Sequence, residues 1–126
     1  MFYIENGKIR MAINFAKGYI ESFEYDGNEL LSGHAPIFSI ALRRECGDAV
    51  ALTPSYAAGV RELPDGAEYY GFDNGISVRL TVVALDDGFN FGLSIKNQGD
   101  LAIEYAEYPN IALKPLCKNG GKGKIV

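Results

Sequence analysis

The chain contains no tryptophan, one histidine and two cysteines in 126 residues, and each scarcity removes a class of chemistry. His34 alone cannot supply the imidazoles of a zinc enzyme, and no HxH, HxxxH or ExxH spacing surrounds it. It is also the sole base available to Ser32, Ser39, Ser55, Ser77 or Ser94, none of which stands in a G-x-S-x-G elbow. Cys46 and Cys117 are too few and too far apart for a four-ligand zinc site. A disulfide between them stays open, but nothing marks the chain as secreted, so a reduced setting is the default. The start, MFYIENGKIR, lacks the cationic segment and apolar run of a signal peptide, which makes the expected location cytoplasmic. No apolar stretch approaches the roughly 20 residues that cross a bilayer, so no membrane partner is expected. Clustered cations are lacking too. With a net charge of −4 the chain is a poor match for a phosphate backbone, which excludes nucleic acid as an expected partner. Residues 118–126, KNGGKGKIV, are the one basic cluster, and their glycines read as a flexible tail or the start of a continuation.

What the chain has in abundance is turns. Asn6-Gly7, Asp26-Gly27, Asp65-Gly66, Asn74-Gly75, Asp87-Gly88 and Asn119-Gly120 all tolerate the positive φ of tight hairpins. Between them the apolar residues alternate. Ile9, Met11, Ile13 and Phe15 share one parity, as do Ile76, Val78, Leu80 and Val82, and then Phe89, Phe91, Leu93 and Ile95. Period-two alternation puts each set on one face of a pleated strand. Residues 36–45, PIFSIALRRE, are more continuously apolar and read as a strand covered on both faces. The stretch SYAAGVREL, at 55–63, carries Gly59 midway and stops at Pro64, which argues against a helix. These features predict an all-β, antiparallel β-sandwich of about eight to ten strands. A closed barrel is the alternative. The domain is expected to occupy residues 1–117.

The chemistry-bearing candidates are few. Asp86-Asp87-Gly88 fits a hairpin turn better than a calcium loop, which needs oxygens at alternate positions through twelve residues. The GGKG of the tail lacks the spacing and the following helix of a phosphate loop. Glu104 and Glu107 could suggest the paired carboxylates of a glycosidase, but their spacing predicts opposite faces of a strand unless a bulge intervenes. Neither catalytic residues nor a metal or other cofactor is therefore assigned. Tyr56, Tyr69 and Tyr70 have aromatic faces that match the C–H surface of a pyranose and are the candidate carbohydrate contacts. Alternation equally predicts that one of the adjacent pair Tyr69-Tyr70 points into the core.

Two stretches carry a family likeness. KIRMAINFAKGYIESFEYDGNELL, from Lys8, is a strand, a Lys17-Gly18 turn, a second strand, a polar turn and a short apolar strand. FNFGLSIKNQGDLAIEYAEYPNIAL, from Phe89, is a strand ending in Asn, a polar turn, and a strand closing on an aromatic-Pro pair. Together they resemble the N-terminal β-sandwich domain, of galactose-mutarotase-like supersandwich type, that precedes a catalytic (β/α) barrel in large glycoside-hydrolase-like proteins. The resemblance covers residues 8–113. It implies a noncatalytic domain with a structural or substrate-orienting role, a C-terminal barrel of the same chain as partner, and catalytic carboxylates in that barrel. Mutarotases proper surround the sugar with histidines and a glutamate. His34 stands outside such a pattern, so mutarotase activity is not carried over. The alternatives are an independent carbohydrate-binding module using Tyr56, Tyr69 or Tyr70, and a small sugar epimerase with His34 and a carboxylate as acid and base.

Overall fold

The structure, a computed structural model, describes residues 1–43, 49–73, 75–86 and 88–113. The expectations for Cys46, Cys117, Asn74, Asp87, Asn119-Gly120 and the 118–126 tail lie outside the described residues. The rest of the chain is all-β and antiparallel, as the alternation predicts. Eleven strands form in order: β1 (Phe2–Asn6), β2 (Ile9–Asn14), β3 (Tyr19–Tyr25), β4 (Asn28–Glu29), β5 (Ser39–Arg43), β6 (Ala49–Leu52), β7 (Gly59–Leu63), β8 (Gly66–Tyr70), β9 (Ile76–Leu85), β10 (Gly88–Asn97) and β11 (Ala102–Glu107). The count exceeds the expected eight to ten because turn chemistry cuts off short pieces such as the two-residue β4. The strands make three sheets, ordered β1-β2-β3-β4, β10-β9-β8-β7 and β11-β5-β6.

Of the pairs that lie wholly within the described residues, Asn6-Gly7 and Asp26-Gly27 stand at hairpin turns as predicted. Asp26 and Gly27 both have positive φ, 51° and 82°, and link β3 to β4 through the Tyr25–Asn28 pair. Mirror-image turns of this kind match the twist of the flanking strands. At Asp65-Gly66 the turn is displaced by one residue. Pro64 and Asp65 form the loop, and Gly66 is already in strand β8, paired with Leu63. A β-carbon at Gly66 would sit 1.8 Å from the Leu80 carbonyl oxygen, so the close approach of β9 is what demands glycine there. The 55–63 stretch makes no α-helix. A single 3-10 turn over Pro54–Tyr56 leads into β7.

The apolar faces of the three sheets meet in one core, a sandwich-like arrangement. Met11, Ile13, Phe15 and Ile20 come from the first sheet and its turn, Ile40, Leu42 and Leu52 from the third, and Ala67, Tyr69, Ile76, Val78, Leu80 and Val82 from the β7–β10 sheet. The β9 row is almost fully buried, as its alternation predicts. In and before β5 the consecutive residues Ile40, Ala41 and Leu42, and Ile37 and Phe38, are all buried, which agrees with a strand covered on both faces. The β2 row keeps its inward face, but the alternation of β3 is broken. Ala12 pairs with Ser22 while Ile13 pairs with Ile20, so Glu21 is an extra residue in β3. This bulge lets Ile20 and Phe23, three apart, both turn inward.

Among the described residues no polar or charged side chain of the ordinary kind is buried in the core. The hydroxyl of buried Tyr69 is the exception in kind, and it donates to the Phe15 carbonyl oxygen at 2.6 Å. Its ring meets Phe38 edge to face, with centroids 5.1 Å apart. Burial, with the nearby Tyr108 and Glu62 charges adding to it, pushes the Tyr69 phenol well above its ordinary value. The folded state therefore keeps a proton that the unfolded chain releases near pH 10, so this contribution to stability is full below about pH 10 and is lost as the pH rises above it. Tyr69→Phe should cost about 1–3 kcal/mol in urea unfolding at neutral pH, because the Phe15 carbonyl is left without its donor. The same variant should flatten the alkaline fall in stability relative to the parent chain, measured by urea midpoints from pH 8 upward.

Candidate functional site

The outer face of the first sheet carries two cross-strand rows fixed by the β1-β2-β3-β4 register. Tyr3 pairs with Ala12, which pairs with Ser22. Glu5 pairs with Arg10, Arg10 with Glu24, and Glu24 with Glu29. In the first row a small residue lies between two larger ones, and the sheet surface is hollow at Ala12. The result is an open groove of about 500 Å³ lined by Met1, Tyr3, Arg10, Ala12, Glu21, Ser22 and Glu24 among others. Tyr3 is 75 % exposed and forms its most prominent wall.

The Glu21 bulge sets the polar side of the groove. With two residues opposing one, Glu21 and Ser22 both line the groove. One carboxylate oxygen of Glu21, Oε2, is shielded and has no hydrogen-bond partner among the described residues. Ser22 is committed to the Glu29 carboxylate: its hydroxyl donates to Oε1, while the Phe23 and Leu31 N–H groups donate to Oε2 at 2.8 and 3.3 Å. Partial desolvation works against the Glu29 charge, but the Ser22 hydroxyl and the backbone N–H donors outweigh it and hold its carboxyl below the ordinary range. Arg10 Nε meets Glu5 Oε2 at 3.2 Å, an exposed pair of little energetic weight. With Glu5, Glu21 and Glu24 against Arg10, the groove is acidic.

The residues singled out from sequence are dispersed. Tyr69 is 2 % exposed and hydrogen-bonded in the core, so neither face of its ring is open to a sugar. It is the inward member of the adjacent pair. Tyr70 is its exposed neighbour, and Arg61 lies 5.9 Å from its ring centroid, occupying one face. Tyr56 is exposed on the 3-10 turn and does not line the groove. His34 stacks on Tyr19 with centroids 4.4 Å apart and planes 4° from parallel. Its Nε2 is 3.3 Å from the Glu21 carbonyl oxygen, to which it donates in the Nε2–H tautomer. Among the described residues no carboxylate hydrogen-bonds to His34, and no group of three His, Cys, Asp or Glu could hold a metal ion.

The opposite-face expectation for Glu104 and Glu107 carried the exception of a bulge, and β11 has one. Ile103 pairs with Leu42 and Tyr105 with Ala41, so Glu104 is an extra residue and parity no longer assigns its face. Glu104 is ion-paired with Arg43, whereas Glu107 pairs across to Ser39 farther along β5. The two carboxylates serve different neighbours. Nor is β11 the second arm of a hairpin with β10. The Asn97 side chain accepts from the Gly99 N–H and donates to the Leu101 carbonyl, and that turn carries the chain across to pair with β5.

Among the described residues no helix is long and apolar enough to cross a membrane. Comparison of the chain with protein-family models, curated proteins and solved structures finds no match. The groove residues Tyr3, Arg10, Glu21, Ser22 and Glu24 escape a reading of the sequence, although Tyr3, Arg10 and Glu24 fall in the polar phase of alternating strands. What the sequence withholds is the cross-strand register that sets them side by side. Ser22→Ala should raise the Glu29 carboxyl pKa by removing its largest stabilising donor, an upward shift readable by carboxyl-carbon NMR titration. Because Glu29 is depressed in the folded state, its contribution to stability is present above about pH 4.3 and lost as the pH falls; Ser22→Ala should blunt that acid dependence.

Proposed function

We propose that this chain is a noncatalytic β-sandwich domain of a carbohydrate-active protein, and that it orients saccharide in the groove over the first sheet. The observation that carries this reading is the groove itself. It brings Tyr3, Arg10, Glu21, Ser22 and Glu24 to one lining, around a floor hollowed at Ala12. A pyranose offers the complementary surface, with an apolar C–H face and a rim of hydroxyls that donate to carboxylates and accept from guanidinium. The tie of His34 to Tyr19 and to a backbone carbonyl supports a noncatalytic role over an epimerase. The resemblance of residues 8–113 to galactose-mutarotase-like N-terminal domains supports the sugar class and a catalytic (β/α) barrel as the partner domain.

A second reading, an independent carbohydrate-binding module using Tyr56 and Tyr70, is favoured by the exposure of both rings. Backbone amide shifts in an NMR titration with gluco-, xylo-, manno- and galacto-oligosaccharides separate the two. The leading reading expects shifts centred on Tyr3, Ala12 and Ser22. Tyr3→Ala should weaken binding at least about tenfold, equivalent to roughly 1.4 kcal/mol. Ala12→Leu, which fills the groove floor, should do the same with the amide spectrum otherwise retained. Shifts centred on Tyr56 and Tyr70 would transfer the role to the second surface. A silent spectrum across all four glycan classes would remove both.

A further inference from the structure

The sheet edges of this domain are not equally protected. Exposed edges present unpaired N–H and C=O groups, and proteins blunt them with charges, bulges, prolines or short strands. β4 and β6 are short, β1 has five residues and carries Glu5, and β7 carries Arg61 and Glu62 at its centre. β11 is interrupted by the Glu104 bulge and also carries Glu107. β10 has none of these devices at its centre. It runs ten residues, GFNFGLSIKN, in unbroken register with β9, without proline or bulge, and its one charge is Lys96 beside its end.

Its free side has few partners. Among the described residues the backbone of β10 receives one hydrogen bond outside its pairing with β9, from Asn6 Nδ2 to the Gly88 carbonyl oxygen at 2.8 Å. The core also thins here within one strand. Ile76, Val78, Leu80 and Val82 of β9 are 0 to 3 % exposed. Their β10 counterparts on the same face, Phe89, Phe91, Leu93 and Ile95, are only partly covered, with Leu93 at 36 %. Among the described residues the sheet thus stops with both its hydrogen-bonding edge and its apolar row incomplete.

We propose that β10 is a homodimer interface, on which a second copy of this chain adds its own β10 antiparallel to form one continuous eight-stranded sheet. The β10 sequence is self-complementary about Gly92. A two-fold axis there sets Phe91 opposite Leu93 of the second copy, Phe89 opposite Ile95 and Asn90 opposite Ser94, and it keeps every apolar residue on the core-facing side. Lys96 faces Gly88, so no like charges meet although each copy is acidic overall. At Gly92 the Thr81 side chain already fills the space of a β-carbon, 2.3 Å from its hydroxyl oxygen, so the position on the axis presents bare backbone to the partner. Every other edge among the described residues is short, charged or bulged. A two-fold contact also closes on itself, which limits the assembly to two copies.

The test is sedimentation equilibrium of the whole 126-residue chain over a micromolar concentration series, with hydrogen exchange read on β10 at both ends of the series. The expected result is a monomer–dimer equilibrium with exchange of residues 88–97 slowing as dimer forms. Leu93→Lys places a charge on a half-exposed position at the centre of the edge and should weaken the dimer at least about tenfold. Asn90→Lys should act likewise from the opposite face, where folding makes no demand on the side chain. A circular-dichroism spectrum and urea midpoint close to those of the parent chain would show that either variant is folded. A monomer at every concentration overturns the proposal, whether its β10 amides are protected within the chain or open to a heterologous strand. A dimer indifferent to both substitutions overturns it as well, by placing the contact elsewhere.

Discussion

The hydroxyl of Tyr69 donates to the Phe15 carbonyl inside a core otherwise built from apolar side chains, and it joins residues 54 apart in sequence. It ties strand β8 to the turn that follows β2, so it fixes the β7–β10 sheet against the first sheet. An apolar contact resists separation but tolerates sliding. A buried donor with a single acceptor does not, because a slip of one residue leaves both groups unpaired away from water. The Phe38 ring against Tyr69, and Phe72 against Phe38, extend this fixed point towards the β5 layer. The groove lies on the other side of the same first sheet, and its shape therefore rests on this internal tie.

Two bulges, at Glu21 and Glu104, do the remaining positioning. Each breaks the alternation of a strand by one residue, and each makes a glutamate the extra residue. At Glu21 the consequence is a polar wall, with Ser22 drawn into the Glu29 hydrogen bonds and Glu21 left with a shielded oxygen of its own. At Glu104 the consequence is an ion pair with Arg43 that charges the β11 edge. The contrast between β11 and β10 follows from this: one edge is bent and charged, the other straight and nearly neutral.

Much of the fold is legible in the sequence because it depends on local rules. The Asn6-Gly7 and Asp26-Gly27 pairs mark turns, and the β9 alternation reports its buried face residue by residue. The site is less legible because it depends on register and on parity breaks. Nothing in MAINFAKGYIES announces that Glu21 is an extra residue, since the bulge is set by Ile20 and Phe23 both finding room in the core. Tyr69 and Tyr70 are equivalent as letters, and only the phase of β8 makes one a core anchor and the other a surface ring. The single Tyr3 draws no attention in the sequence, and it matters only because Ala12 stands beside it across the strand gap.

Gly66 and Tyr69 occupy one short strand, and both are pinned by distant backbone: the first by the Leu80 carbonyl, which leaves no room for a side chain, the second by the Phe15 carbonyl, which needs a phenol. Aliphatic positions in the same core can exchange Ile, Leu and Val among themselves as long as volume is kept. These two have no such latitude. A glycine followed three places later by a tyrosine, directly after a hairpin turn and ahead of a long alternating strand, is thus the fingerprint by which remote kin of this domain should be sought, after hydrophobic patterning has drifted beyond detection.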